Sequence, residues 1–305
     1  MSSFKGSGLP CNKKAYYGVR VDETTWHYRC GMHSKRAKYR VKLKRNPREK
    51  ENRLRQLRLE KAAWKQAASQ NDGRGQLRCQ KMRMMKLPET PDGFRLVFPN
   101  NRHGERTDGI GCCWLSPMRM GPVDTKQPGL PIAMSIENAH QFNKVFPEEV
   151  GDDGQPLPRF FQTQHAAYLD PVPHRHKKEA KGKNVPLYSL WIDQEGKSHR
   201  ITYFESRQFY SNWYERIATG DPDEEGIPKA WRNARQEYQM LLALLESGHN
   251  LCIVGYDGYS VDKTLEEHYL DTKRPFGHEM VLYSLLAHPN DPSKWPWRKY
   301  TTFDF

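Results

Sequence analysis

Along this 305-residue chain, apolar residues recur at helical spacing in some stretches and cluster into short strand-like runs in others. Residues 47–69 read as a helix, because Pro47 suits a first helical position and Leu54, Leu57, Ala62 and Trp64 form a narrow apolar stripe among many arginines. The run Asn71-Asp72-Gly73-Arg74-Gly75 breaks that pattern, and a basic connector over 78–86 follows it. A turn at Pro91-Asp92-Gly93 leads into a strand over 94–98. Residues 135–146 then predict a helix with Ile136, Ala139 and Phe142 on its apolar side, followed by a loop over 152–186 that contains proline and histidine. Strands over 187–192 and 199–203, joined by Asp193-Gln194-Glu195-Gly196, predict a hairpin. An aromatic helix over 205–218 repeats Phe209, Trp213 and Ile217 at four-residue steps, and a long helix over 229–247 ends at Gly248. An apolar strand over 251–255, a short helix over 265–270 and a buried helix over 278–287 complete the pattern. The expected class is α+β: a predominantly α-helical globular domain with a small β-hairpin or sheet, and no internal repeat.

Charge changes this picture by dividing the chain. Residues 1–90 hold 24 Lys and Arg against 7 Asp and Glu, a balance of +17, while the rest carries −4. The expected organisation is a small Cys/His module over 1–45, a basic helix and linker over 46–90, and a globular domain over 91–305. A basic extension of this density attracts polyanions by displacing their counterions, without base-specific contacts. Nucleic acid, DNA or RNA, is the expected partner, through Arg36, Lys38, Arg40, Lys42, Lys44, Arg45, Arg53, Arg55 and Arg58. An anionic membrane or protein surface and a solvated basic tail are the competing readings. The longest apolar runs, 240–245 and 280–286, are too short to span a bilayer, so no membrane partner is expected.

The six cysteines show no disulfide framework, and with no signal-peptide pattern an intracellular, reducing compartment is expected. Cys11, Cys30 and His33 have spacing that suits a zinc ion, with His27 the nearest fourth ligand. The alternative is a small aromatic cluster with Tyr16, Tyr17, Trp26 and Tyr28. This stretch resembles the short Cys…Cys-Gly-x-His-Ser modules that head some proteins of large DNA viruses.

Candidate chemistry is concentrated later in the chain. Glu137, Gln141 and Lys144 stand at i, i+4 and i+7, which places a carboxylate, an amide and an amine on one face of the expected helix. Such a set is costly to bury unless it binds something, although an ordinary surface stripe has the same spacing. Asp257, on a glycine-flanked turn after a buried strand, offers another polar group or simply stabilises its turn. Gly277, His278 and Glu279 open the last buried helix, where His278 or free N–H groups suit a phosphate; equally, they serve as an ordinary helix start. Most of the aromatics of the 205–218 helix belong to the core, with Tyr210 or Tyr214 reaching a ligand. The run His174-Arg175-His176-Lys177-Lys178 suits a metal or a phosphate, but its proline- and lysine-rich setting reads as a mobile basic loop. No phosphate-binding glycine loop, dinucleotide fingerprint, nucleophile elbow or His-Glu-x-x-His motif is present, so kinases, dehydrogenases, serine hydrolases and zincins are poorly supported.

Ser135, Glu137, Gln141 and Lys144, with Leu115-Ser116-Pro117 before them and Gly277-His278-Glu279-Met280-Val281-Leu282 after, make residues 110–288 resemble the NADAR-type N-glycosidases. The chain departs from that family in its long 152–186 segment. It also has Gly255-Tyr256-Asp257-Gly258-Tyr259 in place of a late Trp-Gly-rich stretch. The resemblance implies cleavage of an N-glycosidic bond in a nucleotide or ADP-ribosyl substrate, with no metal needed for the reaction. Glu137 would stabilise an oxocarbenium-like centre, Lys144 would act as an amine nucleophile, and Asp257 would hold a hydroxyl or a water. Ser116 and Gln141 would line the substrate site. The alternative function is a non-enzymatic nucleic-acid-binding protein of a virion or chromatin, which keeps the fold without the activity.

Overall fold

The computed structural model describes residues 47–83, 90–106, 108–176 and 185–300, with five short strands in the first 46 residues; side chains are described from Glu51 onward, that of Arg53 excepted. The chain divides into two compact units, Met1–Leu59 and Glu60–Phe305. In the first, β1 (Ser3–Phe4) pairs with β2 (Pro10–Cys11), and β3 (Tyr17–Arg20) runs antiparallel between β4 (Trp26–Arg29) and β5 (Arg40–Lys42). Cys11 lies on β2 and His27 on β4, but their side chains, with Cys30 and His33, fall outside the described residues. The same holds for Arg36, Lys38, Lys44 and Arg45 and for the side chains of Arg40, Lys42 and Arg53. The helix α1 (Pro47–Gln70) forms as its pattern predicts, with Arg55 and Arg58 exposed.

The second unit continues with β6 (Leu77–Lys81), β7 (Phe94–Phe98), β8 (Ile110–Gly111), α2 (Ile136–Phe142), β9 (Lys144–Val145), α3 (Pro158–Leu169), β10 (Tyr188–Ile192) and β11 (Ser198–Ile201). There follow α4 (Tyr203–Ala218), α5 (Lys229–Glu246), β12 (Asn250–Gly255), α6 (Leu265–Leu270), α7 (His278–Ala287) and α8 (Pro296–Lys299). The fold is α+β and predominantly helical. Its strands make a parallel sheet in the order β6-β12-β7-β8 and an antiparallel sheet in the order β11-β10-β9. Among the described residues, no helix is long and apolar enough to cross a membrane.

β12 lies between two neighbours, and all six of its residues are buried. An unbroken apolar run is what a parallel strand covered on both faces requires. Alternation along the strands divides the core. Leu251 and Ile253 of β12 and Val97 of β7 join the main cluster with the helices. Cys252 and Val254, with Phe94, Leu96 and Phe98, form a second cluster on the other face. The aromatic helix α4 buries Phe209, Trp213 and Ile217 in the main cluster, and the Phe209 ring lies 4.0 Å from that of Trp191.

Five expectations about the elements need correction. The connector over 78–86 is structural for part of its length, because β6 pairs in parallel with β12 along Leu77–Lys81. The globular unit accordingly begins at Glu60 rather than near 91, and the Trp64 indole donates to the Phe94 carbonyl (3.1 Å). The 152–186 segment contains α3, whose buried Phe160, Gln164, Ala167 and Tyr168 have helical spacing behind an N-terminal proline. The helix expected over 135–146 stops at Phe142, since buried Asn143 accepts hydrogen bonds from Gln164 (2.7 Å) and Tyr168 (3.1 Å) and the chain then pairs with β10. His176 is not part of a mobile loop. Its Nε2 lies 2.7 Å from Glu149 Oε1 in a buried pair, and its ring stacks on Phe142 at 4.7 Å.

Candidate active site

A cleft of about 840 Å³ opens beyond the carboxyl ends of the parallel strands, where open α/β sheets usually hold ligands. Chain leaving β7 supplies Asn100 to His103, chain leaving β8 supplies Ser116, and chain leaving β12 supplies Asp257. Glu137, His140 and Gln141 come from α2, Lys144 from β9, Arg207 and Tyr210 from α4, and Gly277, His278 and Glu279 from the start of α7. All of the predicted catalytic and substrate residues except Tyr214 therefore line one cavity. Tyr214 lies behind the wall, where its buried hydroxyl donates to the Leu115 carbonyl (2.8 Å), so its role is packing.

Ser135 caps α2 by accepting from Asn138 N (3.1 Å), which fixes the first turn and with it Glu137. Gln141 Nε2 donates to Glu137 Oε1 (3.2 Å), and Lys144 Nζ donates to Gln141 Oε1 (3.4 Å). The amide thus links a carboxylate and an amine, as the spacing suggests, although Lys144 reaches it from a strand rather than from the same helix. Burial pushes the Glu137 carboxyl above its ordinary range, and Lys144, Arg175, His278 and the Gln141 hydrogen bond pull it back. Burial, aided by Lys144, holds the His140 imidazole well below its usual range, leaving it neutral at pH 7. The Tyr210 phenol is pushed well up, first by burial and then by Glu137, Glu279, Tyr214 and Asp257. Three carboxylates, those of Glu137, Glu279 and Asp257, therefore act on the same phenol.

Glu279 is fully buried, and neither carboxylate oxygen accepts a hydrogen bond among the described residues. The His278 ring lies beside it, with Nδ1 3.2 Å from Oε2. Room for this side chain exists because residue 255 is glycine: a Cβ there would fall 1.7 Å from Glu279 Oε1. Gly277 is needed for a similar reason, as a Cβ would fall 2.9 Å from that of Asp257. A carboxylate buried in the first turn opposes an anion at this helix start, which argues against the phosphate role considered for Gly277 and His278.

Several cleft residues escaped the sequence reading. His140 lies on the same face of the helix as Glu137, one turn further on. Arg207 is buried and donates to the carbonyls of Tyr269 (2.6 Å), Asp271 (3.0 Å) and Arg274, fixing the loop that leads into α7. Arg175 reaches the cleft because Asn138 holds the chain after α3, donating to the carbonyls of Ala167 (3.1 Å) and Asp170 (2.9 Å). Glu237 accepts from the backbone N–H groups of Trp114 (2.9 Å) and Leu115 (3.1 Å), and so sets the turn that carries Ser116. Nothing in local spacing signals the last three, since each acts across a long stretch of chain.

Among the described residues no group of three or more His, Cys, Asp or Glu side chains is placed to hold a metal ion. No protein-family model, no curated protein and no solved structure matches the chain.

Proposed function

We propose that the cleft hydrolyses an N-glycosidic bond, between ribose and a base or between ADP-ribose and a base, and that the basic N-terminal region brings the enzyme to nucleic acid. The observation that carries this reading is the Glu137–Gln141–Lys144 relay on the wall of a nucleotide-sized cavity. The resemblance to NADAR-type glycosidases assigns the same residues. As the bond from the anomeric carbon to the base nitrogen breaks, the electron pair leaves with the base and positive charge grows on the sugar. The Glu137 carboxylate stabilises that charge, and the desolvation that raises its pKa strengthens the interaction. Lys144, once deprotonated, attacks the anomeric carbon, and water then displaces it; neutral His140 is at hand to accept a proton. Arg102 and Arg175 on the lining suit the phosphates of the substrate. Zinc bound by Cys11, His27, Cys30 and His33 would order the N-terminal module and takes no part in the reaction.

The test is a glycohydrolase assay on the full chain with ADP-ribosylated guanine and thymine oligonucleotides, with products identified by mass spectrometry. Wild type should release a sugar fragment, and Lys144→Ala and Glu137→Gln should each lower the rate by about a hundredfold or more. Absence of release by wild type, with tight salt-sensitive binding of unmodified DNA, would overturn the reading and favour the architectural alternative.

A further inference from the structure

The chain that follows α3 carries Arg175 to the cleft, and it is held on both sides of that residue. Before it, Asn138 of α2 accepts from the His174 backbone N–H (3.0 Å) and donates to the Ala167 and Asp170 carbonyls. After it, the His176 ring enters a buried aromatic cluster. The ring stacks on Phe142, lies edge-on to Phe146 at 5.1 Å and comes within 6.3 Å of the Phe160 ring. The His176 side chain is 4% exposed, whereas Arg175 between the two anchors is open to solvent.

Both ring nitrogens of His176 meet groups that accept. Nδ1 lies 3.0 Å from the Lys144 carbonyl oxygen, and Nε2 lies 2.7 Å from Glu149 Oε1. A carbonyl oxygen only accepts, so Nδ1 carries a proton. A second proton must lie between Nε2 and Oε1, because two lone pairs facing each other at that distance repel. Glu149 also accepts from the Phe146 N–H (3.0 Å) at its other oxygen, and so stands as a carboxylate between two donors. A neutral imidazole has a single N–H and cannot serve both acceptors; the ring that fits is an imidazolium. The neighbouring titratable groups have partners elsewhere. His174 meets the edge of Phe142 at 5.0 Å and lies 3.7 Å from Asp170, and the Lys144 ammonium donates to Gln141.

The bond to the Lys144 carbonyl matters because β9 is only two residues long. A strand that short needs more than its pairing with β10 to be fixed, and His176 supplies the additional anchor at the residue concerned. Lys144 lines the cleft and a smaller adjoining space of about 190 Å³, so a small shift of its main chain would move the amine out of line with Gln141. Charge-assisted hydrogen bonds shielded from water are strong enough to prevent that shift.

We propose that His176 is a positioning residue for the reaction: as a buried imidazolium it ties the Lys144 main chain to Glu149, and it holds the neighbouring Arg175 at the cleft. This rests on the N-glycosidase reading for what Lys144 and Arg175 do, whereas the clamp itself can be measured without it.

The experiment uses the full chain as wild type, His176→Phe, Glu149→Gln and Arg175→Ala. His176→Phe keeps a ring to stack on Phe142 and removes both N–H groups. Ring nitrogen chemical shifts of wild type at about pH 7 should show His176 with both nitrogens protonated, and this reading needs no variant. Trypsin cleavage after Arg175, identified by mass spectrometry, should be about tenfold faster in His176→Phe and in Glu149→Gln than in wild type. With ADP-ribosylated oligonucleotides, His176→Phe should lower kcat and raise KM, each by about tenfold, while Arg175→Ala should raise KM alone. Added to Arg175→Ala, His176→Phe should still lower kcat but raise KM no further. A neutral ring, cleavage after Arg175 at the wild-type rate in both variants, or an unchanged kcat in His176→Phe would each overturn the proposal. A doubly protonated ring with faster cleavage in the variants, in a protein with no glycohydrolase activity, would uphold the clamp and sink the enzyme reading. Hydrolysis by wild type with a neutral ring and unaltered cleavage would do the reverse.

Discussion

Replacing Glu279 with leucine should make the protein more stable while abolishing its function. The side chain is fully buried, its two oxygens accept no hydrogen bond among the described residues, and it packs against Gly255. Leaving a buried polar group unsatisfied costs about 1–3 kcal/mol in proteins, and more if it is charged. Leucine has similar bulk and no such cost. Its one loss is the proximity of Oε2 to His278 Nδ1 at 3.2 Å, which trims the gain. For a unit of this size each kcal/mol moves the melting temperature by about 2–4 °C, so Glu279→Leu should raise it by about 2–10 °C. Thermal unfolding followed by circular dichroism reads this, with Glu279→Gln as a control that removes charge but leaves an unpaired amide. On the proposed N-glycosidase reading, glycohydrolase activity should disappear in the same variant, the pattern expected where a site is held at the expense of stability. A fall in melting temperature would show that the carboxylate is a structural group, and the reasoning from its unpaired oxygens would fail.

Glu237 predicts a pH effect. Burial raises its carboxyl from 4.5 to about 7, against the pull of the Trp114 and Leu115 N–H groups, so the folded state binds a proton more tightly than the unfolded one. Its contribution to stability is full below the unfolded value and is lost as pH rises towards 7. The urea midpoint of wild type, relative to Glu237→Gln, should therefore fall between pH 5 and pH 8; parallel curves would refute the assignment. The basic region predicts a salt effect. If exposed Arg55 and Arg58 contact phosphates, Arg55→Ala with Arg58→Ala should reduce the slope of log affinity for duplex DNA against log salt by about 2, and an unchanged slope would remove them from the interface.

Periodicity alone was sufficient for most elements of the second unit. The strand Phe94–Phe98 and the helices Leu265–Leu270 and His278–Ala287 have the bounds their patterns predict, because each is a run of one period between clear breakers. Where the pattern misled, a long-range interaction had overridden it. Asn143 would continue a helix, yet its amide is claimed by Gln164 and Tyr168, and the next residues join a sheet. Leu77–Lys81 looks like a charged connector because an edge strand needs only alternate burial, and its partner β12 lies about 170 residues further along the chain.

The candidate site divides in the same way. Sequence by itself determined which residue types were available: the Glu137, Gln141 and Lys144 spacing, the Asp257 turn and the Gly277-His278-Glu279 helix start are all local. Only the tertiary structure decided that these segments meet, since the cleft forms where three parallel strands end and four helices and strands from elsewhere close over them. It also decided that Tyr210 faces the cavity while Tyr214, four residues on, packs behind it, and that Lys144 lines two adjoining spaces of unequal size. Local spacing fixes the face of an element on which a side chain lies; what that face meets is set by contacts between residues far apart in the chain.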